Sequence, residues 1–396
     1  MSVPLDRLYN FLHDHCDQDV IIYRWFPHGS RKVEDCTRIH PYSKIQLLSY
    51  LPMICHDQEP LNFSEHQQHA AKIGVFRHRI FDLFNFYDRP LLLHSEQHSS
   101  QLDKFVEFGA IPVYYWSHGF IAQDWYRYAE HDLELQEKNI KKLFLVYNRA
   151  WTGSREYRLK FTELVVDQNL AKECKMGFAA MDQDQNYQDH KFVNEKFSIQ
   201  RRDLDQYFYL NQSDSSASAD YCTQDYVETA IEVVLETLFD DHRWHLTEKS
   251  LRPIACAQPF MLAGPPGSLE YLRSYGFKTF EPLINESYDS IDDPLQRLQA
   301  IVDEMQRIAD LDQSLLCQLY EKLREIAKFN QQRFFSKEFF ACLLTEYTDN
   351  LQKACAEALK YKHATYFNNN RAFFKLCCSD EEYVDVIQYL ETPTKI

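Results

Sequence analysis

Glycine is scarce in this chain, nine in 396 residues. Phosphate loops need glycines where the backbone must come close to a phosphate, and neither GxGxxG nor GxxxxGK[ST] occurs. That argues against the dinucleotide-binding and P-loop routes to a nucleotide. Basic charge is also in deficit, with 43 Lys and Arg against 59 Asp and Glu, a formal net charge of −16. Such a balance argues against a broad nucleic-acid or anionic-membrane footprint and leaves room only for a local basic groove. No apolar run approaches the roughly 18 residues that span a bilayer. The opening "MSVPLDRLYNFLHDH" lacks the cationic-then-apolar layout of a secretory leader. The eleven cysteines include one adjacent pair, Cys377 and Cys378, and no CxxC. Reduced thiols and a cytoplasmic location are therefore expected, without a disulfide framework or structural zinc.

What the chain has in quantity is aromatic side chains: 28 Phe, 25 Tyr and 5 Trp. They can fill large cores, and exposed ones can stack on sugars or bases. The length suits two domains of roughly 150 to 200 residues. In the first part, "DVIIYRWF", "LLSYLPMICHDQEPL", "RPLLLHSEQHS" and "AIPVYYWSHGF" each read as a buried strand with a polar tip, separated by helical patterns. Strand–helix alternation predicts a mostly parallel sheet, and ligands of such sheets sit beyond the C-terminal strand ends. The tips His56-Asp57-Gln58-Glu59, His94-Ser95-Glu96 and Ser117-His118 would then line one crevice, or be capped turns. Residues 120–142 are polar, acidic and helical, a connection between domains. We place the divisions at 1–135, 136–330 and 331–396, the last a helical extension able to pack back on the N-terminal domain.

The second part opens with the strand "KLFLVYN", the loop "RAWTGSREY" and a helix. Arg149, Arg155 and Arg158 fall at the strand end or helix start, where arginines grip phosphate through paired hydrogen bonds or are simply solvated. Residues 178–220 read as long surface loops, and Asp182-Gln183-Asp184 within them as a solvated turn rather than a metal-holding DxD. Residues 226–239 read as one apolar, β-branched run ending near Glu236-Thr237. Next comes the stretch around which the chain is organised, "RWHLTEKSLRPIACAQPFMLAGPP". Thr247 is a good N-cap, and Glu248 and Lys249 open the helix it caps. Free N–H groups, a carboxylate and an ammonium at a helix start suit a nucleotide diphosphate, or make an ordinary capped helix. His94, His98, His242 and His245 are poorly spaced for a metal and read as polar-site or surface residues. From Asp292 onward the pattern is helical, with Leu295, Leu298, Ile301, Val302, Met305 and Ile308 on one face and Leu316, Leu319, Leu323 and Ile326 on the next.

At "ETLFDDHRWHLTEKSLRPIACAQPFMLAG" the chain resembles glycosyltransferases of the two-domain GT-B fold, most closely the α1,3-fucosyltransferase type, whose donor domain carries an acidic residue and then Y-[VI]-T-E-K opening a helix. Thr247, Glu248 and Lys249 match as they stand. Glu236 takes the acidic position about two residues further upstream, and Trp244-His245-Leu246 displace the aromatic. "VYNRAWTGSREYRLKFTEL" is similar to that family's first donor-domain unit, in which an Asn/Ser turn and an Arg hold the diphosphate. "HDQEPL" together with "SHGFIAQDWYRY" also resembles phage-type glycosyltransferase-like proteins. The resemblance spans roughly 140 to 285.

It implies an α/β fold of two Rossmann-like domains facing a cleft, with C-terminal helices. The implied reaction is metal-independent transfer of a sugar from a nucleotide-sugar donor to a hydroxyl of a saccharide acceptor, with inversion, or with retention, because the motif reports donor grip and not stereochemistry. No other cofactor is implied. Asn148, Arg149, Arg155 and Lys249 would hold the diphosphate at the start capped by Thr247. Glu248 would meet a ribose or sugar hydroxyl, and Glu236 the sugar. Glu59, Asp57 and His118 are the candidates for the base that deprotonates the acceptor. Two further readings stand beside it: glycosylation of a hydroxymethylated base in phage DNA, which the acidity disfavours, and an inactive carbohydrate-binding protein.

Overall fold

A computed structural model describes residues 5–24, 51–55, 60–64, 90–107, 109–134, 138–208 and 220–359. The fold is α/β, with parallel sheets and a helical C-terminal part. It divides into two compact units: His118–Cys342 forms one, and Pro4–Ser117 with Leu343–Ile396 forms the other. The chain thus changes unit at 117/118 and again at 342/343, whereas composition marks its changes at 135 and 330. No helix among the described residues is long and apolar enough to cross a membrane.

The unit that holds the N-terminal strands contains α1 (Leu5–Asp14), β1 (Val20–Arg24), β2 (Leu51–Cys55), β3 (Leu91–His94), α2 (Ser100–Glu107) and β4 (Ile111–Tyr114). The strands run parallel in the order β1-β2-β3-β4. Leu91, Leu92 and Leu93 have no exposed surface, as expected of a strand covered on both faces. Pro112, which cannot donate to a ladder, sits in the edge strand β4. Two of the expected polar tips are buried here rather than lining a crevice. Glu96 accepts from Leu61 N at 2.5 Å, and Ser95 Oγ accepts from Ser117 N at 3.1 Å. The segment after β3 is tied through those groups to Leu61 and to Ser117 beyond β4, and so does not face solvent.

The C-terminal part of α3 (Lys337–Leu359) belongs to the same unit from Leu343 on. Leu343, Tyr347, Leu351, Ala354 and Ala358 are buried at three- and four-residue spacing. Tyr347 donates its hydroxyl to Leu12 O at 3.0 Å, and Asn350 Nδ2 donates to Tyr114 O at 3.0 Å. The last 37 residues of the sequence, 360–396, lie outside the described residues.

The other unit carries β5 (Lys142–Asn148), α4 (Tyr157–Asp167), β6 (Cys174–Phe178), a hairpin of β7 (Met181–Asp182) and β8 (Gln185–Asn186), α5 (Thr223–Glu228), β9 (Thr229–Leu235), α6 (Glu248–Ala255) and β10 (Phe260–Ala263). After these come α7 (Ser268–Ser274), α8 (Pro294–Ala309) and α9 (Gln313–Phe334). The parallel order is β10-β9-β5-β6. All seven residues of β9, "TAIEVVL", are buried, the pattern of a central strand. Its start differs from the continuous run read from sequence. Tyr226 and Val227 close a helical turn instead, because Thr229 Oγ1 donates back to Asp225 O at 2.7 Å and Tyr147 OH donates to the Asp225 carboxylate at 2.7 Å.

Residues 178–208, expected as open loops, hold the hairpin and three 3-10 turns over buried Phe178, Tyr187, Phe197, Leu204 and Phe208. Local polarity hid this, since the turns alternate solvent-facing Gln and Asp with single inward aromatics. In α8, Asp293 caps through Gln296 N at 2.9 Å, and Leu298, Ile301, Val302, Met305 and Ile308 are buried. Leu295 is exposed, and of the α9 stripe only Leu323 is fully buried.

His94 supplies a pH test of this architecture. It is 2 % exposed, and burial pushes its imidazole down to about 3. Between that value and the ordinary one near 6.5 the unfolded chain binds a proton that the folded chain refuses, so stability falls as pH drops through this window. Urea unfolding at stepped pH should show that decline, and His94→Asn should flatten it. An unchanged slope in the variant would show that another group is responsible.

Candidate functional site

The connections decide where a ligand can sit in the unit of β5 and β9. From β5 the chain crosses through α4 to β6 on one side, and from β9 through α6 to β10 on the other. Neighbouring strands whose crossovers leave in opposite directions open a crevice beyond their C-terminal ends. The β5–α4 loop, the end of β9 and the start of α6 meet there. Ser154 Oγ donates to Thr237 O at 3.1 Å, and Arg158 Nη2 donates to Leu235 O at 2.7 Å and Glu236 O at 2.9 Å.

Glu236 holds this meeting point together. It has no exposed surface. One oxygen accepts from Thr247 N at 3.0 Å and Ser250 Oγ at 2.6 Å; the other accepts from Thr247 Oγ1 at 2.8 Å and Thr237 N at 3.0 Å. Burial acts to raise its affinity for a proton, but the Lys249 charge and these donors outweigh it and hold the carboxyl below its usual range. Expected to meet the sugar, Glu236 instead has both oxygens bonded inside the fold, where they orient the helix start.

That start behaves as a capped one. Thr247 Oγ1 accepts from Lys249 N at 3.4 Å. Lys249 Nζ lies 2.8 Å from Glu248 Oε1 and 3.3 Å from both Thr237 Oγ1 and Thr247 Oγ1. The other Glu248 oxygen faces His118 Nδ1 at 3.3 Å, and the His118 ring meets the His245 ring edge-on at 5.5 Å. Glu248 is 4 % exposed; against the effect of burial, Lys249 and then His118 draw its carboxyl well below the usual range. Sequence reading set His118 and Glu248 apart, in two domains, and the structure brings them into one pair.

The remaining candidates fall into four groups. The guanidinium of Arg155 makes no hydrogen bond or ion pair among the described residues, and it is half-buried beside Arg158. Arg149 leans over the Tyr147 ring at 5.1 Å and donates to Asp220 O at 3.1 Å, next to Arg252, which with burial lowers its proton affinity. Asn148 is fully buried and donates to Thr162 Oγ1 at 3.0 Å and Arg158 O at 3.3 Å, so it braces the strand end. Arg158 is 3 % exposed and donates to the backbone carbonyls of Ala150, Leu235 and Glu236, a stitch rather than a phosphate grip or a solvated residue. Asp57 and Glu59 lie outside the described residues.

Two contributors escaped sequence reading. Ser250 completes the Glu236 shell, and a serine three residues after an N-cap carries no local sign of that. Asp182 was read as solvated, yet one of its oxygens accepts from Trp151 N, Thr152 N and Thr152 Oγ1, each at 2.8 Å. Among the described residues no group of three His, Cys, Asp or Glu is arranged to hold a metal ion. His94 and His245, expected as polar-site or surface residues, are 2 % and 1 % exposed. No family model, curated protein or solved structure matches the chain.

Glu236→Gln keeps the volume but turns an amide donor toward groups that already donate. Unsatisfied buried donors cost about 1–3 kcal/mol. The urea midpoint should fall accordingly with the m-value unchanged. A variant as stable as the wild type would show that this carboxylate does not carry the helix start.

Proposed function

We propose that the protein is a glycosyltransferase of the GT-B type, with two Rossmann-like domains facing a cleft. It moves a sugar from a nucleotide-sugar donor to a hydroxyl of a saccharide acceptor. One observation carries this reading. At the crevice between β5 and β9, the capped start of α6 with Lys249 comes together with the loop that bears Arg155. A helix start offers N–H groups and the positive end of its dipole. A nearby guanidinium without an ion-pair partner among the described residues adds the fork that fits phosphate oxygens. Together they suit a nucleoside diphosphate, and they act when it leaves, because neutralising its developing charge lowers the barrier.

In this reading Arg155, Lys249 and the α6 N–H groups hold the diphosphate. Glu236 keeps Thr247 and the first turn in place. In the inverting reaction a base removes the acceptor proton as its oxygen attacks the anomeric carbon in line with the departing diphosphate. Asp57, Glu59 and His118 are the candidates for that base. Neither a metal nor another cofactor has a part in this scheme. A carbohydrate-binding protein without catalysis is the second reading. The mutual pairing of Lys249, Glu248 and His118 favours it, because groups satisfied by one another need no substrate.

A thermal-shift panel of GDP-, UDP-, CMP- and dTDP-sugars tests the proposal. A ligand at a hundredfold its Kd stabilises the folded state by about 2.7 kcal/mol. At least one donor should raise the midpoint, and Arg155→Ala and Lys249→Ala should each diminish that rise. No shift with any donor would refute the transferase reading. A shift without transfer to any saccharide would favour the binding protein.

A further inference from the structure

The loop that carries Arg155 is held on both flanks by one excursion of the chain, residues 181–194. On the N-terminal flank, Asp182 receives three hydrogen bonds of 2.8 Å, from Trp151 N, Thr152 N and Thr152 Oγ1. Thr152 is the N-cap of the 3-10 turn Gly153–Arg155, and its own side chain makes no capping bond there. The local sequence therefore leaves this turn without its usual stabiliser, and Asp182 supplies a substitute from outside. On the C-terminal flank stands Glu156, 2 % exposed. Its carboxylate accepts from Val193 N at 2.8 Å, Asn194 N at 2.8 Å and His190 Nε2 at 2.7 Å.

The excursion is itself rigid enough to act as a support. Gln183 and Asp184 have φ of +47° and +62°, the two-residue turn that matches strand twist in a tight hairpin. The other nitrogen of His190 lies 3.0 Å from Gln185 Oε1 in β8, so the imidazole ties the hairpin to Glu156. Its ring also meets the Trp151 ring edge-on at 5.0 Å, and the Trp151 indole donates to Ala179 O at 2.8 Å. Between these two anchors Gly153 takes φ +64°, and the Arg155 side chain remains without a hydrogen bond among the described residues.

A guanidinium that must meet a diphosphate gains from a backbone already in place, because ordering a loop at the moment of binding costs affinity. We propose that Asp182 is a positioning residue for the diphosphate group. It touches no ligand, and it sets the turn from which Arg155 reaches the anion. The assignment rests on the glycosyltransferase reading for its ligand, and on the hydrogen bonds alone for its effect on the loop.

The probe is inorganic pyrophosphate, which carries the shared diphosphate without a base or sugar, titrated calorimetrically into the full-length protein. Asp182→Ala should weaken binding about tenfold, since the loop and its arginine must then be ordered at the moment of binding. Asp182→Asn keeps an acceptor oxygen for the two amides and should recover part of the loss. The double variant Arg155→Ala/Asp182→Ala should bind no more weakly than Arg155→Ala alone, because Asp182 acts only through that arginine. A general loss of fold would instead weaken the two independently. Amide exchange at Trp151 and Thr152, which should quicken in either Asp182 variant, checks the loop directly if the alanine variant is poorly folded.

Two results overturn the assignment without touching the transferase reading. One is Asp182→Ala binding pyrophosphate as the wild type does while Arg155→Ala binds it weakly. The other is a double variant whose losses multiply. If the wild type and Arg155→Ala bind equally, or neither binds, the anion grip fails and the positioning role falls with it.

Discussion

A carboxylate with no exposed surface is an expensive thing to place at the end of a central strand, and Glu236 is placed there. The cost is met because its two oxygens collect four donors, from Thr237, Thr247 and Ser250. Those donors belong to the strand end and to the first turn of the following helix, so the ion settles the angle at which α6 leaves β9. Everything proposed for the site descends from that angle. Lys249 can lie beside Thr237 only when the turn is held there, and Glu248 can meet His118 only from the same turn.

A second buried carboxylate reinforces the arrangement from below. Glu232 lies four residues before Glu236 on β9, hence on the same face of the sheet. Arg252 of α6 bonds one of its oxygens, and Tyr226 OH donates to the other at 2.6 Å. Arg252 also lies over the Tyr147 ring at 4.5 Å. Desolvating such a pair costs several kcal/mol per ion, so its contribution to net stability is small. Its contribution to specificity is larger. A slip of α6 by one turn would strand both carboxylates against the wrong side chains, and the helix therefore seats in one register.

Polar side chains at the N-cap of α4 and on the helix itself do the same for the segment that sequence presents as loop. Glu156 holds the backbone N–H groups of Val193 and Asn194, and Glu163 holds those of Gln200 and Arg201 at 2.5 and 2.9 Å. Both carboxylates are nearly buried, at 2 % and 3 % exposure, Glu156 at the N-cap of α4 and Glu163 within a helix whose inward face would otherwise be read as apolar. Charged residues on a helix ordinarily mark its solvated side. Here they mark the side that fastens irregular backbone, and so the order of residues 187–201 could not be read from their Gln- and Asp-rich composition.

The amino-acid sequence by itself determined the alternation of strand and helix, the parallel sheets that follow from it, the Thr247 cap and the apolar face of α8. Each of these is written in periodicity or in neighbours a few residues apart, and short-range sterics and burial read such patterns directly. Only the tertiary structure decided which polar residues are ligand-facing and which are internal braces. Glu236, Arg158, Asn148 and Arg155 look alike as polar residues near strand ends. Three became braces and Arg155 did not, because their partners (Ser250, Leu235, Thr162) lie 14 to 77 residues away in the chain or arrive only with a second strand or helix. Asp182 shows the same limit: its three donors lie 30 and 31 residues upstream, and no local pattern connects a hairpin to the loop it supports.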